Sequence, residues 1–297
     1  MQSRPSETGI FSPAHRGLPR QRCDAPGERV MGQQVMKGIE KGMQALDRHI
    51  PLLLIKALQT QLRQLIHYAK GADPGLQREV AEKLANEAVK PDRQEQIVDL
   101  GGLELLLPLV QSKDKEVQRL AAHALANLSV NADNQIRMAN EGGVDMLINL
   151  LHTANPHIQR QAAKALANLG VNSENKATIA HKGGIAPLIA LTRDSSEAVQ
   201  IETVAALANL AVNDDNEVQI GEDGGLAPIL DCARSGNTEL QAQACRALRN
   251  LSVCSRNKEI ILENNGYSLL DDLSNSGHDR IRSQAMRALA NLGGGKK

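Results

Sequence analysis

The sequence predicts an all-α solenoid of three-helix repeats with a period of 41 residues. Three observations carry this. A sixteen-residue stretch, EVQRLAAHALANLSVN at 116–131, returns as HIQRQAAKALANLGVN at 157–172, AVQIETVAALANLAVN at 198–213, ELQAQACRALRNLSVC at 239–254 and RIRSQAMRALANLGGG at 280–295. A decayed copy, GLQREVAEKLANEAVK, stands at 75–90, and the Asn of its A-N or A-L-x-N core recurs every 41 residues: Asn86, Asn127, Asn168, Asn209, Asn250 and Asn291. A glycine pair keeps the same step, at 101–102, 142–143, 183–184 and 224–225, and ends as Asn265-Gly266. Finally, apolar residues in the recurring stretch fall three and four apart, the spacing of one helix face. A fixed period of this length marks a stack of supersecondary units, each unable to bury its apolar face alone.

The elements follow in order. Residues 1–32 are rich in Pro, Arg, Ser and Gly without periodicity, and read as a disordered basic segment. Residues 33–90 read as capping helices plus a degenerate repeat, with Leu52, Leu53, Leu54, Ile55, Leu58, Leu62, Leu65 and Ile66 apolar at helical steps and a break at Gly71-Ala72-Asp73-Pro74-Gly75. Five full units occupy 91–292, and 293–297 form a flexible tail. In the unit 133–173, Asp133 is a candidate N-cap for a short helix ending near Glu141. Gly142-Gly143 interrupts it, a second helix runs from about Val144 to Leu151, and the longest begins near His157. Because Asn replaces the first glycine at 265, the pair is read as a left-handed helix terminus rather than a phosphate loop.

Composition removes several function classes. Lys plus Arg and Asp plus Glu are both 34, so net charge gives no support for binding nucleic acid. With one Phe, two Tyr and no Trp, the chain lacks the aromatic platforms that stack single-stranded bases. The four cysteines form no C-x-x-C pair and no zinc spacing, so no metal site and no cofactor is expected. No apolar run reaches the length of a membrane span. No nucleophile, base and metal set converges, so no catalytic residue, small-molecule substrate or enzymatic activity is expected.

Three helices per unit, a period near 40, Gly-Gly between the first two helices and A-L-x-N-L on the third resemble the armadillo repeat. The resemblance covers about residues 76–292. It implies a right-handed superhelix in which the third helices line a concave groove. Positions four and eight before each Asn share its face. There the chain carries Arg78, Arg119 and Arg160, then His123 and Lys164, then Arg246 and Arg287, with Arg249 beside Asn250. The six asparagines and these side chains are the candidate partner-binding residues. The carboxamides would pair with the backbone of an extended peptide, and the basic groups would select acidic or phosphorylated side chains. Importin-α-type relatives place a Trp four residues before such an Asn, and here no Trp exists. The groove is more similar to that of β-catenin-like armadillo proteins, and the repeats resemble those of vacuole-anchored armadillo proteins and armadillo-repeat kinesins. The expectation is a cytoplasmic scaffold or adaptor for a protein partner, at the cytoskeleton or a membrane through that partner. The alternatives are a nuclear-import cargo adaptor and the regulatory repeat region of a motor or enzyme complex.

Overall fold

The computed structural model describes residues 73–293 except Ser195, together with Gln34 and Lys37. The expectations for residues 1–32, for the capping helices up to residue 72 and for residues 294–297 lie outside the described residues. Sixteen α-helices, and no strand, make up the described part. They are α1 (Pro74–Glu87), α2 (Pro91–Asp99), α3 (Gly102–Leu109), α4 (Lys115–Leu128), α5 (Ala132–Asn140), α6 (Gly143–Leu151), α7 (Pro156–Leu169), α8 (Ser173–His181), α9 (Ile185–Asp194), α10 (Glu197–Leu210), α11 (Asp214–Glu222), α12 (Leu226–Ala233), α13 (Thr238–Leu251), α14 (Ser255–Glu263), α15 (Gly266–Ser274) and α16 (Asp279–Asn291).

The third helices α1, α4, α7, α10, α13 and α16 pack each on the next, forming one continuous layer. Small residues make this approach possible. Ala124, Ala165, Ala206, Ala247 and Ala288 are fully buried, and so are Leu125, Leu166, Leu207 and Leu248 one position on. Each such leucine contributes roughly 1.5–3 kcal/mol by leaving water, which no single unit could supply in sufficient number. One hydrophobic cluster runs unbroken from Leu76 to Ala288.

Polar side chains register the helices within a unit. Gln118, Gln159, Gln200 and Gln241 donate from Nε2 to carbonyls at the end of the preceding second helix, at 2.8 Å to Val110, 3.3 Å to Leu151, 3.0 Å to Thr192 and 3.3 Å to Ala233. Four of the six third helices are capped by side chains, those of Asp73, Asp114, Asn155 and Asn237, whose oxygens accept from backbone amides in the first turn. One expected cap is corrected. Asn131, not Asp133, caps α5, with its Oδ1 accepting from the Asn134 amide at 3.0 Å. Both are cap-forming types, but the chain enters the helix two residues earlier, leaving Asp133 in the first turn near the positive helix end.

The glycine pairs do two jobs. Gly101, Gly142, Gly183 and Gly224 have φ between 75° and 88°, and Asn265 keeps φ 57° in the same place. The second glycine sits against backbone. A Cβ on Gly143 would lie 2.6 Å from the Met138 carbonyl oxygen. Gly142→Asn should therefore be nearly neutral, Gly142→Val should cost on the order of 1–2 kcal/mol, and Gly143→Ala should cost more than Gly142→Ala. Urea denaturation of the four variants tests this ranking, and equal losses at 142 and 143 would contradict it.

Candidate functional site

The third-helix layer carries the repeated asparagines, and five of them stitch neighbouring units together. Each Nδ2 reaches back to the residue before the preceding Asn. The bonds are Asn127 to Ala85 O at 3.1 Å, Asn168 to Ala126 O at 3.4 Å, Asn209 to Ala167 O at 2.6 Å, Asn250 to Ala208 O at 2.7 Å and Asn291 to Arg249 O at 3.0 Å. Asn168 and Asn291 also donate to Ser129 Oγ and Ser252 Oγ, using both amide hydrogens. The donors thus serve the solenoid. Among the described residues the carbonyl oxygens of Asn127, Asn168, Asn209 and Asn291 accept no hydrogen bond, whereas Asn250 Oδ1 accepts from Arg249 Nε at 3.0 Å and a terminal nitrogen at 2.7 Å. Asn86, at the start of the layer, is exposed.

The basic strip divides into two electrostatically different halves. In the first, every arginine faces a carboxylate. Arg78 is hydrogen-bonded to Asp114 and holds its carboxyl below the usual carboxylate range. Arg119 lies 2.6 Å from Glu116, again lowering the acid. Arg160 is 3.7 Å from Glu202. Burial pushes the Glu202 carboxyl up, and the opposing fields of Arg160 and Lys164 moderate the rise. Glu202 was not visible in the strip because it sits seven residues before its Asn, off the row of positions four and eight before it.

His123 lies inside this half. Burial lowers its affinity for a proton, and Lys164, Arg119 and Arg160 lower it further. Its folded-state value is below its ordinary 6.5, so acidification protonates the unfolded chain first. The group therefore adds stability above about pH 6.5 and loses it as pH falls below that. His123→Gln should flatten the stability slope between about pH 7 and 5 relative to wild type, measured by thermal melts across that range. An unchanged slope would discount the histidine.

In the second half the arginines have neutral partners. Arg246 donates to Ala205 O at 3.1 Å, and its Nε is buried without an acceptor among the described residues. Arg249 donates to Asn250 Oδ1 and, at 2.8 Å, to Gln284 Oε1 of α16. Burial lowers the proton affinity of both; Arg249 and Arg280 repel Arg246, and Arg287 repels Arg249. Arg287 is exposed. Glu239 is the carboxylate that favours Arg246, but it is engaged at 2.8 Å by Arg280 and at 2.6 Å by Gln243. Ile201 and Ala205, between the two halves, pack partly against the core.

Elsewhere the chemistry is quiet. A cavity of about 290 Å³ is lined by Thr192, Gln200, Pro228, Asp231 and Cys232, and burial pushes the Cys232 thiol up to about 11. Cys245 is raised to about 12, so neither thiol is a nucleophile at neutral pH. Among the described residues no group of His, Cys, Asp and Glu could hold a metal ion, and no helix is long and apolar enough to cross a membrane.

The fold and its seams define a stacked α-solenoid of three-helix units. The armadillo-like family model matches residues 140–297, and the armadillo/β-catenin-like repeat model matches 90–130. A crystal structure of an engineered protein is 33% identical, covers 78% of this chain and 96% of its own, and superposes with a TM-score of 0.74. A designed armadillo repeat protein is 25% identical over 77% of this chain and 98% of its own, with a TM-score of 0.73. Another, in complex with the peptide (KR)4, shares the fold at 24% identity and a TM-score of 0.71, over 77% of this chain and 98% of its own. No curated protein sequence matches. The chain belongs to the armadillo-like family.

Proposed function

We propose that the protein is a non-enzymatic scaffold or adaptor that binds an extended acidic segment of another protein along its third-helix layer. Armadillo folds are typical of protein-binding scaffolds, which sets the class. The observation that carries the finer reading is the second half of the strip, where Arg246, Arg249 and Arg287 lack a carboxylate partner of their own among the described residues. An acidic side chain would supply the missing charge through charge-assisted hydrogen bonds. The unengaged Oδ1 atoms of Asn127, Asn168, Asn209 and Asn291 could accept from peptide N–H groups while their amide donors hold the units together. A designed neighbour binds (KR)4. With arginines on the layer, this chain suits the opposite charge. That polarity, and the lack of Trp, weigh against a nuclear-import adaptor for basic cargo. A cytoplasmic setting fits such a scaffold.

A fluorescent oligoglutamate peptide should bind in low salt and be released as salt rises, whereas oligolysine and oligoglutamine should not bind. The Arg246→Glu/Arg287→Glu variant should lose at least about tenfold in affinity, the loss of one to two charge-assisted contacts. Equal binding of all three peptides, or an unaffected variant, sinks the reading.

A further inference from the structure

We infer that Arg246, Arg249 and Arg287 form a phosphate-binding subsite, which takes a phosphorylated side chain of the extended partner in preference to a carboxylate. The inference rests on the proposed peptide-binding reading and assigns its dominant contact to one place on the layer.

The three residues are held together by the fold. Arg246 and Arg249 lie one turn apart on α13, and Arg287 is the counterpart of Arg246 one repeat later, on α16. Arg249 bridges the two helices through Gln284. Its position is thus fixed by neutral oxygens that leave its charge uncompensated. Arg246 is half-buried, with one donor on a backbone carbonyl and a buried Nε that has no acceptor among the described residues. A neutral acceptor orients a guanidinium without neutralising it, whereas the carboxylates in the first half of the strip do both.

Charge count separates phosphate from carboxylate. Arg249 repels Arg246 and Arg287 repels Arg249, and the nearby Glu239 is engaged by Arg280 and Gln243, so a single added negative charge does not balance the three cations. A phosphate monoester brings about −1.5 to −2 charges and three acceptor oxygens at neutral pH. Planar guanidinium groups match those oxygens in pairs, which lysine cannot do. The first half of the strip offers no such site, because Asp114, Glu116 and Glu202 already occupy Arg78, Arg119 and Arg160. Selectivity for phosphate should therefore be a property of α13 and α16 alone.

The test uses the full chain and two probes, a short oligoglutamate peptide with one central serine and the same peptide phosphorylated on that serine. Fluorescence anisotropy should show the phosphopeptide binding about tenfold or more tightly, as expected for added charge-assisted bonds. Arg246→Gln and Arg287→Gln should each erase most of that preference, and Arg119→Gln should leave it intact, with melting temperatures confirming that all variants fold. Inorganic phosphate should compete away the phosphate-dependent increment while leaving oligoglutamate binding in place. Equal affinity for the two peptides overturns the subsite while leaving the acidic-groove reading standing. So does a preference that survives Arg246→Gln/Arg287→Gln, or one that falls equally in Arg119→Gln. Binding of neither peptide overturns both.

Discussion

Leu166→Ala should destabilise the protein by about 2–5 kcal/mol, the range for truncating a fully buried leucine in a core that cannot close around the gap. Leu166 has no exposed surface, and α7 is clasped between α4 and α10. The void therefore opens where two unit interfaces meet. The same change at Leu289 should cost less, because that residue on α16 is only partly buried. In a solenoid the damage should also be local. Coupling passes only through neighbours, so a broken middle unit should split one unfolding transition into two, with a reduced denaturant slope in each. Guanidinium titrations followed by circular dichroism read both effects. A loss below about 1 kcal/mol at Leu166 would show that the third helices can collapse into the space.

This behaviour bears on function because an extended partner is held by several units at once. Arg246 and Arg287 belong to successive repeats, and Arg249 reaches from one to the other. A variant that loosens the stack between α13 and α16 should thus weaken binding even when every contacting side chain is present. Charge changes should act differently, altering affinity and its salt dependence with little effect on melting.

The fold was legible because its causes are periodic. The alternation of Leu and Ala on the third helix, the glycine pair and the Asn265 substitution each report a local backbone requirement, and each recurs often enough to be read against its copies. The left-handed φ of Asn265 follows from the substitution pattern alone. The face was legible in part. Helical spacing found the arginines, since four residues is close to one turn. It did not find their partners. Asp114 at the start of α4 pairs with Arg78 of the preceding unit, and Glu202 comes from a row that faces the neighbouring unit, so these two pairings depend on how units stack, whereas Glu116 meets Arg119 within α4 and lies outside the row of positions four and eight before the Asn. Likewise the repeated Asn could be read as a peptide ligand, but the destination of its Nδ2 is a carbonyl one repeat away, which no single-helix pattern contains.

A second ladder was hidden for the same reason, and it sets the other large effect. Asn134, Asn175, Asn216 and Asn257 recur on the first helices and are buried. Their Nδ2 atoms donate to the carbonyls of Gln94 at 2.9 Å, Gln135 at 3.2 Å, Lys176 at 3.1 Å and Glu217 at 3.0 Å, each in the preceding unit. Asn134 donates also to Leu128 O at 3.1 Å. Asn134→Ala removes that donor from the Gln94 and Leu128 carbonyls, which keep their backbone partners, and should cost about 1–3 kcal/mol for two hydrogen bonds at roughly 0.5–1.5 kcal/mol each. Asn134→Asp separates hydrogen bonding from packing, because size is kept while the donor is replaced by an acceptor aimed at two carbonyls. It should be worse than alanine at neutral pH. Burial and the facing oxygens would raise the carboxyl pKa above its unfolded value of about 3.9. The penalty should then shrink as pH falls from neutral toward that value, since a protonated acid can donate again. Stability of the Asp variant that stays flat across that range would mean that Asn134 merely fills space.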